Sequence, residues 1–210
     1  MENHRGLAAL ILPAFLLAVA TLDARATILF NNLTAGNGGS ESTIGATWNA
    51  IAFTTDSTAY SQLSATLLLG QSSAGAPELD LYSTIGLEPK SLIKAFTAPA
   101  AYSSTPAAAT FTASNLALTA NTTYWLVLKA NSGAFDWEWT NDFSVLHDWG
   151  QSTDSGATWF TSDAYPFQFS VTGTVPEPAS WLAGLVAVAA VASFGRSRRR
   201  CSAVPARVLS

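Results

Sequence analysis

Cysteine, histidine and charged residues are all scarce in this chain of 210 residues. The one cysteine, Cys201, lies among the last ten residues, so residues 27–174 can hold neither a disulfide nor a thiolate metal site. Charged residues make up 11% of the chain, against about 25% in ordinary globular proteins. Of the two histidines, only His147 lies outside the first 26 residues, which leaves little material for histidine-based catalysis.

Positive charge is almost absent from the middle of the chain. Residues 27–174 carry three lysines against eleven acidic residues, a net charge of −8, whereas five of the seven arginines fall in the last 15 residues. An acidic domain repels a phosphate backbone, so this distribution argues against nucleic-acid binding. About 150 residues are enough to bury a core without covalent staples.

The N-terminus has the order of a secretory signal. Arg5 precedes an almost wholly apolar run over residues 6–22, and Ala24 and Ala26 supply the small residues of an A-x-A cleavage site. We therefore predict a signal peptide over residues 1–26, removed by signal peptidase after Ala26. An uncleaved N-terminal membrane anchor is the alternative.

The C-terminus has three features in sequence: a Pro-Glu-Pro motif in residues 175–178, an apolar run over 179–195 and an arginine cluster over 196–200. The run is about 17 residues long, near the lower limit for a membrane span. It has no polar face, and Trp181 suits the outer interface. Arginines stay on the cytoplasmic side, so the β-domain would face outward and residues 201–210 would form a cytoplasmic remnant. The orienting residues are Arg196, Arg198, Arg199 and Arg200.

In these three features the tail resembles the PEP-CTERM sorting class of bacterial proteins. The resemblance covers residues 175–200 and implies that Pro176, Glu177 and Pro178 are recognised by the membrane protease-transpeptidase exosortase. It also implies a Gram-negative bacterium that makes exopolysaccharide, with a transient inner-membrane anchor and a final place at the cell surface or in the extracellular matrix. An ordinary single-pass membrane protein without processing is the alternative.

Residues 27–174 are predicted to form an all-β domain, an antiparallel sandwich of jelly-roll type. Apolar and polar residues alternate over 63–69, 79–81 and 167–171, and the apolar run 123–128 is typical of a central buried strand. Turn residues recur between these segments, and the spacing of strands and turns favours a sandwich. Gly70, Gly75 and residues 131–133 are among the predicted strand breaks. The only predicted helices are the terminal signal and the sorting tail.

The same domain resembles the choice-of-anchor R family of bacterial surface domains. The similarity is carried by residues 79–83 (LDLYS) and 116–128 (LALTANTTYWLVL). Residues 86–90 (GLEPK) stand where the family tends to have a Gly-rich turn. The resemblance implies a surface location more than any biochemical activity.

The acidic and histidine residues of the domain offer weak catalytic candidates. Asp136 and Glu138 are two apart on a predicted strand, about 6.5–7 Å between side chains, a spacing that suits a glycosidase pair. Because Phe135 and Trp137 take the opposite face, we expect the two carboxylates simply to face solvent. His147, near Asp142, Asp148 and Asp154, could belong to a metal site or a proton-transfer pair, but an ordinary loop histidine is the expected explanation.

Two further features are candidate binding sites. Residues 131–163 are rich in oxygen-bearing side chains and are a candidate structural calcium site, although their spacing matches no EF-hand and we assign no cofactor. Trp149 and Trp159 lie in turn-rich sequence, where exposed indoles could stack on sugar rings. Trp137 and Trp139 share a face and could form a similar platform, although the core is their expected place.

Three functions follow in order of preference. The first is a non-catalytic exported surface or matrix protein, sorted by exosortase and associated with exopolysaccharide or biofilm. The second is a secreted carbohydrate-binding module that uses Trp149 or Trp159. The third is a hydrolase that uses Asp136 and Glu138.

Overall fold

The computed structural model describes residues 26–142, 144, 147–164 and 166–175, and these contain ten β-strands and no helix. The strands are β1 (Ala26–Asn31), β2 (Asn37–Ile44), β3 (Trp48–Thr54), β4 (Gln62–Ile85), β5 (Glu88–Ala95), β6 (Ala107–Ala113), β7 (Thr123–Thr140), β8 (Trp149–Ser152), β9 (Phe160–Ser162) and β10 (Phe169–Thr174). The prediction of an all-β antiparallel domain is confirmed.

All ten strands belong to one antiparallel hydrogen-bonded network. Its main path runs β1, β10, β4, β7, β3, β8, β9, while β2 joins β7, and β5 and β6 join β4. The first strand and the last are partners, with Ala26 opposite Thr174. Both ends of the described region therefore lie together.

The two longest strands, β4 and β7, connect different parts of this network. β4 has 24 residues. Its first part lies between β6 and β10, and the end of its later part lies between β7 and β5. β7 has 18 residues and pairs with β3 through residues 123–128 and with β2 through 134–140. These long strands determine which side chains meet across the domain.

The predicted strand breaks at Gly70, at Gly75 and at residues 131–133 are wrong, because β4 and β7 run through them. The pairing of the two strands shifts register between Gln71 and Pro77, as expected of β-bulges. A Cβ on Gly75 would lie 2.0 Å from the carbonyl oxygen of Ser132, and Gly133 has a φ of +72°. Glycine here allows close backbone approach and an unusual dihedral, so the strands bend without ending.

One large core receives side chains from β3, β4, β6, β7, β8 and β10. Tyr124, Leu126 and Leu128 of β7 face this core, whereas Trp125 and Val127 between them face the opposite side. All five are buried, which confirms the prediction of a central strand. Each fully buried large apolar side chain contributes about 1.5–3 kcal/mol relative to exposure. Other fully buried members are Ile51, Phe53, Leu67, Leu79, Leu81, Phe111, Trp137, Phe167 and Phe169.

Candidate functional site

A second, smaller apolar cluster lies on the other side of β3 and β7 from the main core. Its buried members are Ala50, Ala52, Trp125 and Val127, with Trp48, Tyr82 and Trp159 packed against them. We call these seven residues the aromatic face. The strand register explains the arrangement, because Ala50 lies opposite Val127, and Ala52 opposite Trp125. Small alanines thus form a floor, and half-buried aromatic rings lie around it.

The segment between β8 and β9 covers part of this floor. A Cβ on Gly150 would lie 3.3 Å from the ring of Trp159, and one on Gly156 would lie 2.6 Å from the ring of Trp48. Asp154 holds the segment in place by accepting hydrogen bonds from the Ser152 hydroxyl (2.7 Å) and from the Thr158 amide (2.9 Å) and hydroxyl (2.6 Å). The glycines allow the two indoles to pack closely against the backbone.

Three charged side chains lie beside the aromatic face, and we call Glu78, Asp80 and Lys129 the ion cluster. Nζ of Lys129 is 2.5 Å from Oδ2 of Asp80 and 3.1 Å from Oε1 of Glu78. Asp80 is 0% exposed, whereas the side chains of Lys129 and Glu78 are 14% and 30% exposed. Nζ also lies 5.1 Å from the ring centroid of Trp48, within cation–π range.

The carboxylate of Asp80 is poorly compensated for its burial. Its contact with Lys129 lacks hydrogen-bond geometry, and neither of its oxygens has a hydrogen-bond partner among the residues described. Glu78 differs, because it accepts hydrogen bonds from Lys129 (3.1 Å) and from the Asn131 amide (3.0 Å). A buried carboxylate without hydrogen bonds costs several kcal/mol that an ion pair offsets only with good geometry.

Burial and mutual contact shift the pKa of each member. Burial raises the pKa of Asp80 above its ordinary value, and Lys129 opposes this only in part. The hydrogen bond from Asn131, followed by the contact with Lys129, lowers the pKa of Glu78. Burial alone would lower the pKa of Lys129, but its two carboxylate neighbours outweigh it and raise that pKa. Burial therefore acts against the ionised form of Asp80, whereas their neighbours favour the ionised forms of Glu78 and Lys129.

The expectation that Trp149 is exposed is wrong. Its side chain is 6% exposed, belongs to the main core and contacts Phe160 and Phe167 edge-on, with ring centroids 5.9 Å from each. Gly150 is the β8 residue that faces the aromatic face, so its neighbour Trp149 points to the other side. Trp159 is half-buried and lies on the aromatic face.

The prediction that Asp136 and Glu138 face solvent from β7 is also partly wrong. Phe135 and Trp137 are fully buried, as expected, and Asp136 is half-buried. Glu138, however, is only 5% exposed, and its Oε2 accepts a hydrogen bond from the Asn37 amide. Because β2 pairs with this half of β7, Asn37 reaches Glu138, a contact that the alternation of β7 alone does not reveal.

The proposed platform of Trp137 and Trp139 does not form. Trp137 stacks on Phe167 with ring centroids 4.5 Å apart, and its indole donates to the carbonyl oxygen of Gln168. Trp139 is half-buried against Gly38 and Gly39, where added Cβ atoms would lie 2.3 and 2.6 Å from its ring. Both indoles pack within the protein.

The remaining candidate residues have local structural contacts. His147 packs edge-on against Phe30 with centroids 4.1 Å apart, and burial lowers its pKa although Asp148 opposes the shift. Asp142 accepts hydrogen bonds from the amide and hydroxyl of Ser144. Within the described part of the chain, no group of three or more His, Cys, Asp and Glu side chains could hold a metal ion. Calcium binding by residues 131–163 stays a prediction.

The residues assigned to export and sorting fall almost entirely outside the described part. Ala26 is the first described residue and begins β1, while Ala24 precedes it. Outside it too are the motif residues Pro176, Glu177 and Pro178 and the cluster residues Arg196, Arg198, Arg199 and Arg200. In residues 26–142, 144, 147–164 and 166–175, no helix is long and apolar enough to cross a membrane.

Sequence reasoning did not single out the ion cluster. Two signals were present: Glu78 and Asp80 alternate with leucines, and Lys129 ends the apolar run 123–128. Their meeting depends on the register that sets Glu78 opposite Lys129 across two strands distant in sequence. In comparisons with known proteins, no family model, no curated protein and no solved structure matches this chain.

Proposed function

We propose that this chain is an exported, non-catalytic cell-surface or extracellular-matrix protein, sorted by exosortase through its C-terminal tail and associated with exopolysaccharide. The observation that carries the proposal is the order of Pro-Glu-Pro motif, apolar run and arginine cluster over residues 175–200. The signal at residues 1–26 supports it independently, because both ends assign the same outward orientation to the acidic domain.

In this proposal the domain is a β-sandwich of jelly-roll type, like the choice-of-anchor R domain that its sequence resembles. A sandwich accounts for the way in which strands of one antiparallel network bury their side chains in a single core. The signal and the sorting tail are its helical ends.

Non-catalytic function is supported by the contacts of the candidate acid–base residues. Glu138 is buried and bonded by Asn37, and His147 packs against Phe30. Asp142 and Asp154 are engaged by hydroxyl and amide groups of their own loops. In each case the polar group stabilises local structure.

Sorting is tested by Glu177→Ala in a host that contains exosortase. We expect the variant to keep its tail and to accumulate in the inner-membrane fraction, because the enzyme no longer recognises the motif. Glu88→Ala, an exposed acid on β5, is the matched control and should be processed normally. Equal processing of Glu177→Ala and the control would contradict the proposal.

Carbohydrate binding at the aromatic face is the second candidate. It is favoured by the half-buried rings of Trp48, Tyr82 and Trp159, since an indole offers a sugar both an apolar face and a polar edge. We expect polysaccharide in a native gel to retard the protein, and Trp159→Ala to abolish this retardation. Phe160→Ala, which removes a 65% exposed ring one residue away, is the control. Equal retardation of both variants and the wild type would exclude this site.

A further inference from the structure

The ion cluster brings an amine and a carboxyl group close enough to react. Nζ of Lys129 lies 2.5 Å from Oδ2 of Asp80, and the contact does not follow the direction of a hydrogen bond. Asp80 is fully buried, and Oδ1 is also without a hydrogen-bond donor among the residues described. A second carboxylate, that of Glu78, lies 3.1 Å from the same nitrogen.

We propose that Lys129 and Asp80 become joined by an intramolecular amide bond, with Glu78 as the carboxylate that transfers the proton. The Nζ atom bonds to Cγ of Asp80, one C–O bond of the carboxyl group breaks, and one water molecule leaves. An ammonium and a carboxylate together contain the atoms and charge of one amide and one water. The reaction therefore needs no oxidant, reductant or activating group.

Proton transfers within the cluster supply the reactive forms. A proton must move from the Lys129 ammonium to Asp80, which leaves a neutral amine beside a neutral carboxyl group. Burial raises the pKa of Asp80 and lowers the cost of this transfer, whereas the carboxylate neighbours raise the pKa of Lys129 and add to it. The amine attacks Cγ of Asp80. Glu78, whose pKa is lowered chiefly by the hydrogen bond from Asn131, accepts the proton lost by the attacking nitrogen and returns it to the departing hydroxyl.

The surroundings favour this reaction. Strand pairing fixes both groups, and well-oriented intramolecular reactions reach effective molarities of about 10⁵–10⁸ M. Trp48 lies against the lysine, and Asp80 is 0% exposed, so water is kept from the carboxyl group. The bond would tie β4 to β7 in a domain that has no cysteine. It does not depend on the proposal about sorting or on carbohydrate binding.

The test is the mass of the protein purified after expression of the full chain. Peptide mapping defines the two ends of the mature chain. We expect its intact mass to be lower, by one water molecule, than the sum calculated from its residues. Proteolysis should give one branched peptide that joins Asp80 to Lys129. An intact mass equal to the sum, with Asp80 and Lys129 in separate peptides, would overturn the proposal. So would a loss of water mapped to a single unbranched peptide, as a succinimide would produce.

Matched variants assign the reacting groups. Lys129→Arg keeps the positive charge but lacks the amine, so its mass should equal the sum, whereas Lys94→Arg should keep the loss of water. Glu78→Gln should prevent or greatly slow bond formation while Asp80 and Lys129 are unchanged. Persistence of the branched peptide in Lys129→Arg would contradict the assignment. The decisive measurement is made on the wild type and is independent of how well the variants fold.

Discussion

Replacement of Glu78 by Gln should separate a covalent link from an ordinary ion pair by its effect on stability. The variant keeps the shape of the side chain, and Asp80 and Lys129 still face each other. A link between residues 80 and 129 closes a loop of about 50 residues, and the chain-entropy relation for cross-links gives roughly 4 kcal/mol for its loss. The side chain of Glu78 is 30% exposed, so its ion pair alone accounts for only about 0–1 kcal/mol.

The assay is equilibrium unfolding in urea, followed by tryptophan fluorescence. We expect Glu78→Gln to lower the free energy of unfolding by about 4 kcal/mol and to increase the m-value, because a chain without the link unfolds to a more open ensemble. Glu41→Gln, at a half-buried acid on β2, is the control and should stay within about 0.5 kcal/mol of the wild type. A loss of 1 kcal/mol or less in Glu78→Gln, with an unchanged m-value, would refute the reasoning.

Three further predictions concern the fold and its loops. Gly173→Ala places a Cβ 2.4 Å from the ring of Tyr60 and should cost about 1–3 kcal/mol in urea unfolding; an unchanged midpoint would contradict the packing. Asn32→Ala removes buried hydrogen bonds with the carbonyl oxygen of Phe167 (2.9 Å) and the amide of Phe169 (2.7 Å). By the same assay, the free energy of unfolding should fall by about 1–3 kcal/mol. Hydrogen bonds from the side chain and backbone of Thr158 lower the pKa of Asp154 to about 2. Because this pKa is depressed, its stabilisation is present above the unfolded value of about 3.9 and is lost as pH falls toward 2. In acid unfolding, Asp154→Asn should lack this part of the pH dependence, and an identical profile would exclude the contact.

The sequence was sufficient where local alternation decides the structure. Residues 63–69 and 79–81 form strand as predicted, and 123–128 lies in the middle of the network. Alternation in these segments reflects the two faces of a strand, which depend on neighbours along the chain. The class of the fold could therefore be predicted without tertiary information.

The errors arose where distant segments meet. Gly75 and Gly133 indicate turns in isolation, but in the fold they lie where β4 and β7 bulge in contact. Glu138 alternates correctly, yet it is buried and bonded by Asn37 of β2. Trp149 differs from the expectation because β8 directs Gly150 toward the aromatic face. Each outcome depends on register between strands far apart in sequence, which composition and periodicity do not specify.

The energetics of the ion cluster explain why burial itself would favour the amide bond. As ions, Asp80 and Lys129 bear a desolvation penalty that often exceeds their attraction, and Asp80 receives no hydrogen bond from the described residues to offset it. Formation of the amide removes both charges, and a neutral amide costs far less to bury than a carboxylate. Asp80 is 0% exposed, and the site lies beside Trp48. The desolvation penalty that weakens the ion pair is therefore relieved when the amide forms, and it contributes to the driving force of the reaction. The same reasoning predicts that opening this site to water by Trp48→Ala should reduce the yield of branched peptide, even though Lys129, Asp80 and Glu78 are all retained.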